Sequence, residues 1–123
     1  MRRLALAILL LLVAAPALAG DEVPYREFLA RNAERSAKLT LGMKKDEVLA
    51  VMGDATSRVR DGNLSNPWKV EAFQKGEDQV EVLFYLVRKH PPFTAIRESQ
   101  ALAVVLRNGA VVAWGSGADR EFR

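Results

Sequence analysis

The sequence predicts an α+β domain in which two N-terminal helices pack on one face of an antiparallel meander of three to four strands. The first observation is a change of hydrophobic period: apolar residues recur at helical spacing up to Thr56 and alternate with period two beyond it. The second is the pair Asn108-Gly109, which lies between two apolar runs and is a strong signal for a two-residue hairpin. These observations indicate a two-layer sandwich of helices and sheet.

The first 19 residues have the composition of a cleavable signal peptide. Arg2 and Arg3 form a positive start, and Ala17-Leu18-Ala19 resembles a cleavage site. The apolar run between them has about 12 residues, fewer than the roughly 20 that a membrane-spanning helix needs. We therefore predict a signal peptide at 1–19, a single domain at 20–117 and a flexible tail at 118–123.

The composition of the remaining chain favours an exported protein without disulfides or a lipid anchor. The chain has 18 basic and 15 acidic residues, and without Arg2 and Arg3 the balance is 16 to 15, so the basic pI gives no support for nucleic-acid binding. Cysteine is absent, so neither disulfides nor a cysteine-linked lipid anchor is expected. We expect a periplasmic protein of a Gram-negative bacterium.

Two helices are predicted before the change of period. The first covers residues 24–38, where Phe28 and Leu29 recur at helical spacing with small apolar residues. The second covers residues 44–52 and ends at Gly53, a residue suited to the positive φ that follows many helices. Its apolar stripe consists of Val48, Leu49 and Met52.

Four strands are predicted after a loop at residues 57–67. Residues 68–74 alternate in polarity, and residues 79–89 are apolar on both faces and are therefore expected at the centre of the sheet. A loop at residues 90–100 follows, because two consecutive prolines cannot continue a central strand. The last two strands flank Asn108-Gly109, and Trp68 and Trp114 are expected to anchor the core.

The stretch LTLGMKKDEVLAVMG (residues 39–53) resembles the signature of the SmpA/OmlA (BamE-like) family of small envelope proteins. The resemblance extends over about residues 31–115, and its downstream part is closer to an uncharacterised sister family. It implies a BamE-like fold of two helices on a meander and a role in outer-membrane biogenesis. The lipobox cysteine of that family is missing, so no lipid anchor is implied. Lys44 replaces the usual Ser or Thr, and Asp54-Ala55 replaces the usual proline.

Residues capable of catalysis or metal binding do not form a recognisable pattern. His90 is the single histidine, and no nucleophile motif accompanies it. Asp46 and Glu47 are neighbours on a helix, so their side chains diverge by about 100° and cannot act as a carboxylate pair. The spacing of Gly42 and Gly53 fits no phosphate-binding loop. We therefore predict no catalytic residue, no cofactor and no metal.

A partner-binding surface is predicted on the sheet instead. The helices are expected to cover the face of the central strand that carries Val80, Val82 and Phe84. The alternate residues of the same strand then point outward and form an apolar patch. The predicted partner-binding residues, including the neighbouring strand and the proline loop, are Phe73, Leu83, Tyr85, Val87, His90, Pro91, Pro92 and Phe93. In the alternative interpretation, the loop at 90–100 or a second copy in a homodimer covers the patch.

The function that follows is a non-enzymatic periplasmic protein–protein interaction module in cell-envelope or outer-membrane biogenesis and maintenance. The partner is an envelope protein of unknown identity, and no nucleic acid is expected to bind. An alternative is an inhibitor-like module that binds a secreted or periplasmic enzyme through its sheet face. A hydrolase centred on His90 is a third, weaker alternative.

Overall fold

The computed structural model describes residues 20–60, 62–91 and 94–123. Two helices precede an antiparallel sheet, so the α+β prediction is confirmed. The helices pack on opposite faces of that sheet and not together on one, because its central strand is apolar on both faces. The helices are α1 (Tyr25–Ser36) and α2 (Lys45–Met52). The strands are β1 (Ser57–Val59), β2 (Gly62–Leu64), β3 (Lys69–Lys75), β4 (Asp78–Leu86), β5 (Ala101–Arg107) and β6 (Ala110–Gly115). One-turn 3₁₀ helices lie at Glu98–Gln100 and Arg120–Phe122.

Helix α2 depends on tertiary packing, because eight residues are too few for a helix that is stable alone. Val48 and Met52 are fully buried, whereas Leu49 is 37% exposed and does not belong to the apolar stripe predicted for it. At the start of the helix, the backbone N–H of Lys44 donates to the Glu47 carboxylate at 2.8 Å. Gly53 ends the helix with the expected positive φ, +77°.

Strands β3, β4, β5 and β6 form a four-stranded meander in that order. Asn108 and Gly109 have φ of +52° and +86°, which matches the left-handed backbone of the predicted two-residue turn. Cross-strand partners share a face, so the register defines two faces of the sheet. We call face A the one that carries Val80, Val82, Phe84 and Leu86 of β4, and face B the one that carries Leu83 and Tyr85.

The segment predicted as a loop at residues 57–67 contains a small hairpin of β1 and β2. Its residues gave no strand signal in the sequence because each strand has only three residues. Ser57 and Leu64 are buried, and Leu64 joins the core. The N-terminal segment also pairs with this region, since the Val23 N–H donates to the Thr56 carbonyl at 2.8 Å.

The core consists of two clusters, one on each face of the sheet. On face A, the β4 and β5 side chains pack with Phe28 and Leu29 of α1 and with Leu64 of the small hairpin. On face B, Leu83 and Tyr85 pack with Val48 and Met52 of α2 and with the β5 and β6 side chains. Trp68 and Trp114 are half-buried at the margins of these two clusters, as members of the core periphery.

Asn32 connects helix α1 to the end of the central strand. Its side chain is 1% exposed, and its amide nitrogen donates to the Leu86 carbonyl at 2.9 Å. Asn32 and Asn66 also exchange two side-chain hydrogen bonds, of 3.1 and 2.8 Å. These hydrogen bonds join helix α1, strand β4 and the segment before β3. The position of each of these three elements therefore depends on the other two.

Replacing Asn32 with Ala is expected to lower the free energy of unfolding by about 2–4 kcal/mol, because the Leu86 carbonyl and the Asn66 amide lose buried partners. Urea unfolding followed by circular dichroism measures the change. The matched control is Asn63→Ala, at an exposed position of β2, where a change within about 0.5 kcal/mol is expected. Equal losses in the two variants would contradict the anchoring role of Asn32.

Candidate interaction surface

Leu83 and Tyr85 do not form the predicted outward-facing patch. Both side chains are fully buried on face B, so the prediction that they contact a partner is wrong for the folded domain. Helix α2 covers them through Val48 and Met52. An ion pair of 2.8 Å between Lys45 and Glu81 holds the helix over the sheet from its first turn.

The Tyr85 hydroxyl has no hydrogen-bond partner among the described residues. Its burial raises the pKa of Tyr85 far above the usual tyrosine range, because the ionised form would lose its hydration. This residue therefore fills the core as a large apolar ring at the cost of a buried polar atom. The arrangement gives Tyr85 a structural role under α2.

Phe73 and Val87 lie away from the predicted patch. Phe73 is opposite Val80 and therefore projects from face A, where it is half-buried. The Arg123 guanidinium lies 5.3 Å from the centre of the Phe73 ring, in a cation–π contact. Val87 follows the end of β4 and is half-buried, and its N–H donates to the Gln100 carbonyl at 3.1 Å.

The segment at 118–123, predicted to be a flexible tail, packs against face A. Ala118 and Phe122 contact the face A cluster, and Asp119 is only 7% exposed. Arg123 donates to Asp119 at 2.8 Å and also pairs with Glu71 on β3. The tail residues lack a periodic apolar pattern, so their contribution to the core could not be recognised in the sequence.

Charged side chains of β3 and the tail form a connected group at the rim of face A. Lys69 pairs with both Glu98 and Glu71, and Glu71 pairs in turn with Arg123. The Arg123 hydrogen bond lowers the pKa of Glu71, while Glu98 and then Glu71 raise the pKa of Lys69. The Glu71 contribution to stability is therefore present above the usual glutamate pKa and is lost as the pH falls below it. These groups are largely solvated, so the effect is small.

His90 and Pro91 lie in the loop after β4, whereas Pro92 and Phe93 are outside the described residues. The His90 ring is half-buried, and its Nδ1 is hydrogen-bonded to the Tyr25 hydroxyl at 2.8 Å. Burial raises the pKa of Tyr25, and a hydrogen bond with the His90 backbone partly offsets the rise. His90 thus ties the loop to the start of α1, while Pro91 is exposed.

A cleft of about 370 Å³ adjoins this loop. Its walls include the apolar side chains of Leu64, Trp68 and Ile96 together with His90. Among the described residues, no group of three or more metal-ligating side chains is close enough to hold an ion. No helix in the described part of the chain combines the length and apolar character needed to cross a membrane.

The two edges of the sheet differ in their exposure. At β6, Gly42 donates to the Val111 carbonyl at 2.8 Å, and the Val111 N–H donates to the Met43 carbonyl at 2.9 Å. The turn before α2 therefore covers the outer edge of β6. At the opposite side of the sheet, β3 pairs with β4 alone among the described residues. Its outer edge leaves backbone N–H and C=O groups available to a further strand.

Side chains next to the free β3 edge form a partly apolar surface. Val70 is 48% exposed on face B, and Ala72 on the same face is also exposed. Helix α2 leaves them uncovered because its contacts are with β4, β5 and β6. Sequence reasoning missed this edge, since the alternation of residues 69–75 is the same for a covered edge and a free one.

The family described as "Protein of unknown function (DUF3192)" matches the chain over residues 12–121. No curated protein and no solved structure is significantly similar to the chain.

Replacing Tyr85 with Phe is expected to raise the free energy of unfolding by about 1 kcal/mol, because the substitution removes a buried hydroxyl without a protein partner. The native protein should also lose stability above about pH 10, the ordinary tyrosine pKa, since the fold favours the protonated hydroxyl. The variant should lose less stability in that range. Urea unfolding at pH 7 and pH 10.5 provides both measurements.

The control for this comparison is Tyr25→Phe, which removes a hydroxyl that does have a partner, His90. A loss of stability is expected there at neutral pH. Destabilisation of similar size in the Tyr85→Phe variant would show that its hydroxyl is satisfied in solution.

Proposed function

The chain belongs to the DUF3192 family, and we propose that it is a non-enzymatic protein-interaction module of the cell envelope. In this proposal it binds an extended segment of a partner protein along the outer edge of β3. The observation that carries the proposal is the asymmetry of the sheet: the turn before α2 hydrogen-bonds to the β6 edge at Val111, whereas β3 pairs with β4 alone among the described residues.

Strand addition at β3 is favoured by its length and its backbone. Seven residues offer an edge of about 23 Å, and the backbone groups directed outward can pair with an incoming strand. Backbone pairing gives affinity with little dependence on sequence, and the side chains on either face provide selectivity. An extended or unfolded segment of another protein is the partner that fits such an edge.

The side chains of β3 specify what that segment would carry. On face B, the incoming strand would lie beside Val70 and Ala72, which favours apolar side chains. On face A, it would lie beside Lys69, Glu71 and Lys75, where charges of opposite sign are favoured. The preferred partner segment therefore alternates apolar and charged residues.

The envelope location rests on the sequence. The composition of residues 1–19, which lie outside the described residues, supports export, and the absence of cysteine supports a periplasmic protein without a lipid anchor. The resemblance of residues 39–53 to the SmpA/OmlA (BamE-like) signature supports a role in outer-membrane biogenesis or maintenance. A partner there is an envelope protein passing through the periplasm or resident in it.

Catalysis is not part of the proposal. His90, the single histidine of the chain, has its Nδ1 hydrogen-bonded to Tyr25 and borders the cleft beside the loop. The acidic residues of α2 lie at its exposed first turn, where they stabilise the helix terminus. These residues are accounted for by the fold.

The double variant Val70→Lys plus Ala72→Lys should abolish capture of the partner, because two added cations oppose an incoming strand at the edge. A photo-crosslinking residue at position 74 of β3, applied to the native envelope fraction, measures capture by mass spectrometry. Both substituted positions are solvent-exposed, so the thermal midpoint should change by no more than a few degrees.

The control is Leu41→Lys, which adds one lysine at a side chain 70% exposed and remote from β3. This variant should capture the same protein as the unmodified chain. Capture that survives the double substitution would refute binding at β3. The captured protein also distinguishes an envelope component from a secreted enzyme, the partner of an inhibitor-like module.

A further inference from the structure

We infer that the partner strand at the β3 edge can be supplied by a second copy of this chain, paired antiparallel about a two-fold axis at Phe73. The inference rests on the proposed function, because it uses the same free edge. It goes further by naming the partner, a second copy of the chain, and the register in which the two β3 strands pair. The sequence of β3 itself, KVEAFQK, carries the argument.

Symmetry limits the registers that are available. When two identical strands pair in one continuous sheet, each residue faces a residue that projects from the same face. A two-fold axis must therefore pass beside a single residue, which then faces its own copy. For β3, the candidate centres that pair three or more of its residues are Glu71, Ala72, Phe73 and Gln74, together with Val70 near its start.

Charge selects among these registers. Centring on Phe73 places Glu71 opposite Lys75 twice, once on each side of the axis, and sets the two phenylalanine rings together. Five residues of each strand, 71–75, are then paired. Opposite charges and aromatic rings that face each other across strands are both favourable.

The other registers are less favourable. Centring on Ala72 places Lys69 opposite Lys75 twice, and centring on Glu71 places two carboxylates opposite each other. Centring on Val70 or on Gln74 pairs only three residues of β3 with three of its copy. The register centred on Phe73 is thus the longest one without opposed like charges.

The surroundings of Phe73 are compatible with this pairing. Its ring is half-buried on face A and retains exposed surface beside Arg123. The ammonium of Lys75 donates to the Arg123 carbonyl at 3.1 Å and is exposed. Pairing would cover the ring and bring the Lys75 ammonium to a carboxylate. Because one edge accepts one strand, self-pairing competes with capture of another protein.

The first experiment uses the absence of cysteine in the chain, which makes single-cysteine variants unambiguous. Phe73→Cys should form an intermolecular disulfide under mild oxidation, because directly opposed residues have Cα atoms about 4.5–5.5 Å apart, within disulfide reach. Ala72→Cys and Gln74→Cys are the matched controls. Each is displaced from its own copy by two positions, at roughly 7–8 Å or more, so they should crosslink at least about tenfold more slowly.

Non-reducing gel electrophoresis of the purified chain measures the rates. Fastest crosslinking at position 72 or 74 would overturn the register. Equal rates at all three positions would indicate random collisions and overturn the inference.

The second experiment tests charge complementarity by sedimentation equilibrium. Lys75→Glu should weaken self-association by about tenfold or more, because two attractive pairs become repulsive. Glu71→Lys should do the same, and an equal mixture of the two variants should restore association, since each opposed pair is then complementary. Lys38→Glu, at an exposed position on the turn after α1, is the charge-matched control and should associate as the unmodified chain does.

Circular dichroism confirms that each variant is folded, and the cysteine experiment stands without Glu71→Lys if that variant does not fold. A purified chain that is monomeric at every concentration would overturn self-pairing. Capture of another protein at β3 from the envelope fraction would still support the proposed function in that case. Self-association without such capture would support the inference and refute the wider proposal.

Discussion

The fold is governed by the requirement to cover β4 on both of its faces. Val82 and Phe84 on one face and Leu83 and Tyr85 on the other are all at most 1% exposed. A sheet that is apolar on two sides needs a layer on each side, and a small domain has few elements with which to build them. The arrangement of the chain follows from this requirement: α2 covers face B, whereas α1, the small hairpin and the tail contribute to face A.

The same requirement determines which surfaces remain available. Once both faces of β4 are covered, the accessible parts of the sheet are β3 and the edges, and the turn before α2 hydrogen-bonds to one edge at Val111. Lys69 and Lys75 at the ends of β3 are the kind of residue that discourages uncontrolled pairing at an edge. In our proposal, the charged side chains of β3 favour a partner strand with complementary charges and disfavour other strands.

Elements with strong local signals could be predicted from the sequence. The two helices, the central position of β4 and the Asn108-Gly109 turn each depend on periodicity or on backbone preferences within a few residues. The covering of each face could not be predicted, because residues 79–89 are apolar on both faces and give no reason to prefer one for the helices. The packing of Phe122 against face A and the free edge of β3 could not be predicted from local sequence either, since both depend on contacts with distant parts of the chain.

The tail covers part of face A, so the burial of that surface depends in part on a short segment. Its ion pairs through Arg123 are partly solvated and are weakened by salt, whereas Phe122 and Ala118 attach it through apolar contacts with the face A cluster. A protease that removed residues 118–123 would leave the hydrogen-bonded sheet in place and uncover apolar side chains on face A. Such trimming would expose an apolar surface of the kind that promotes association with other proteins.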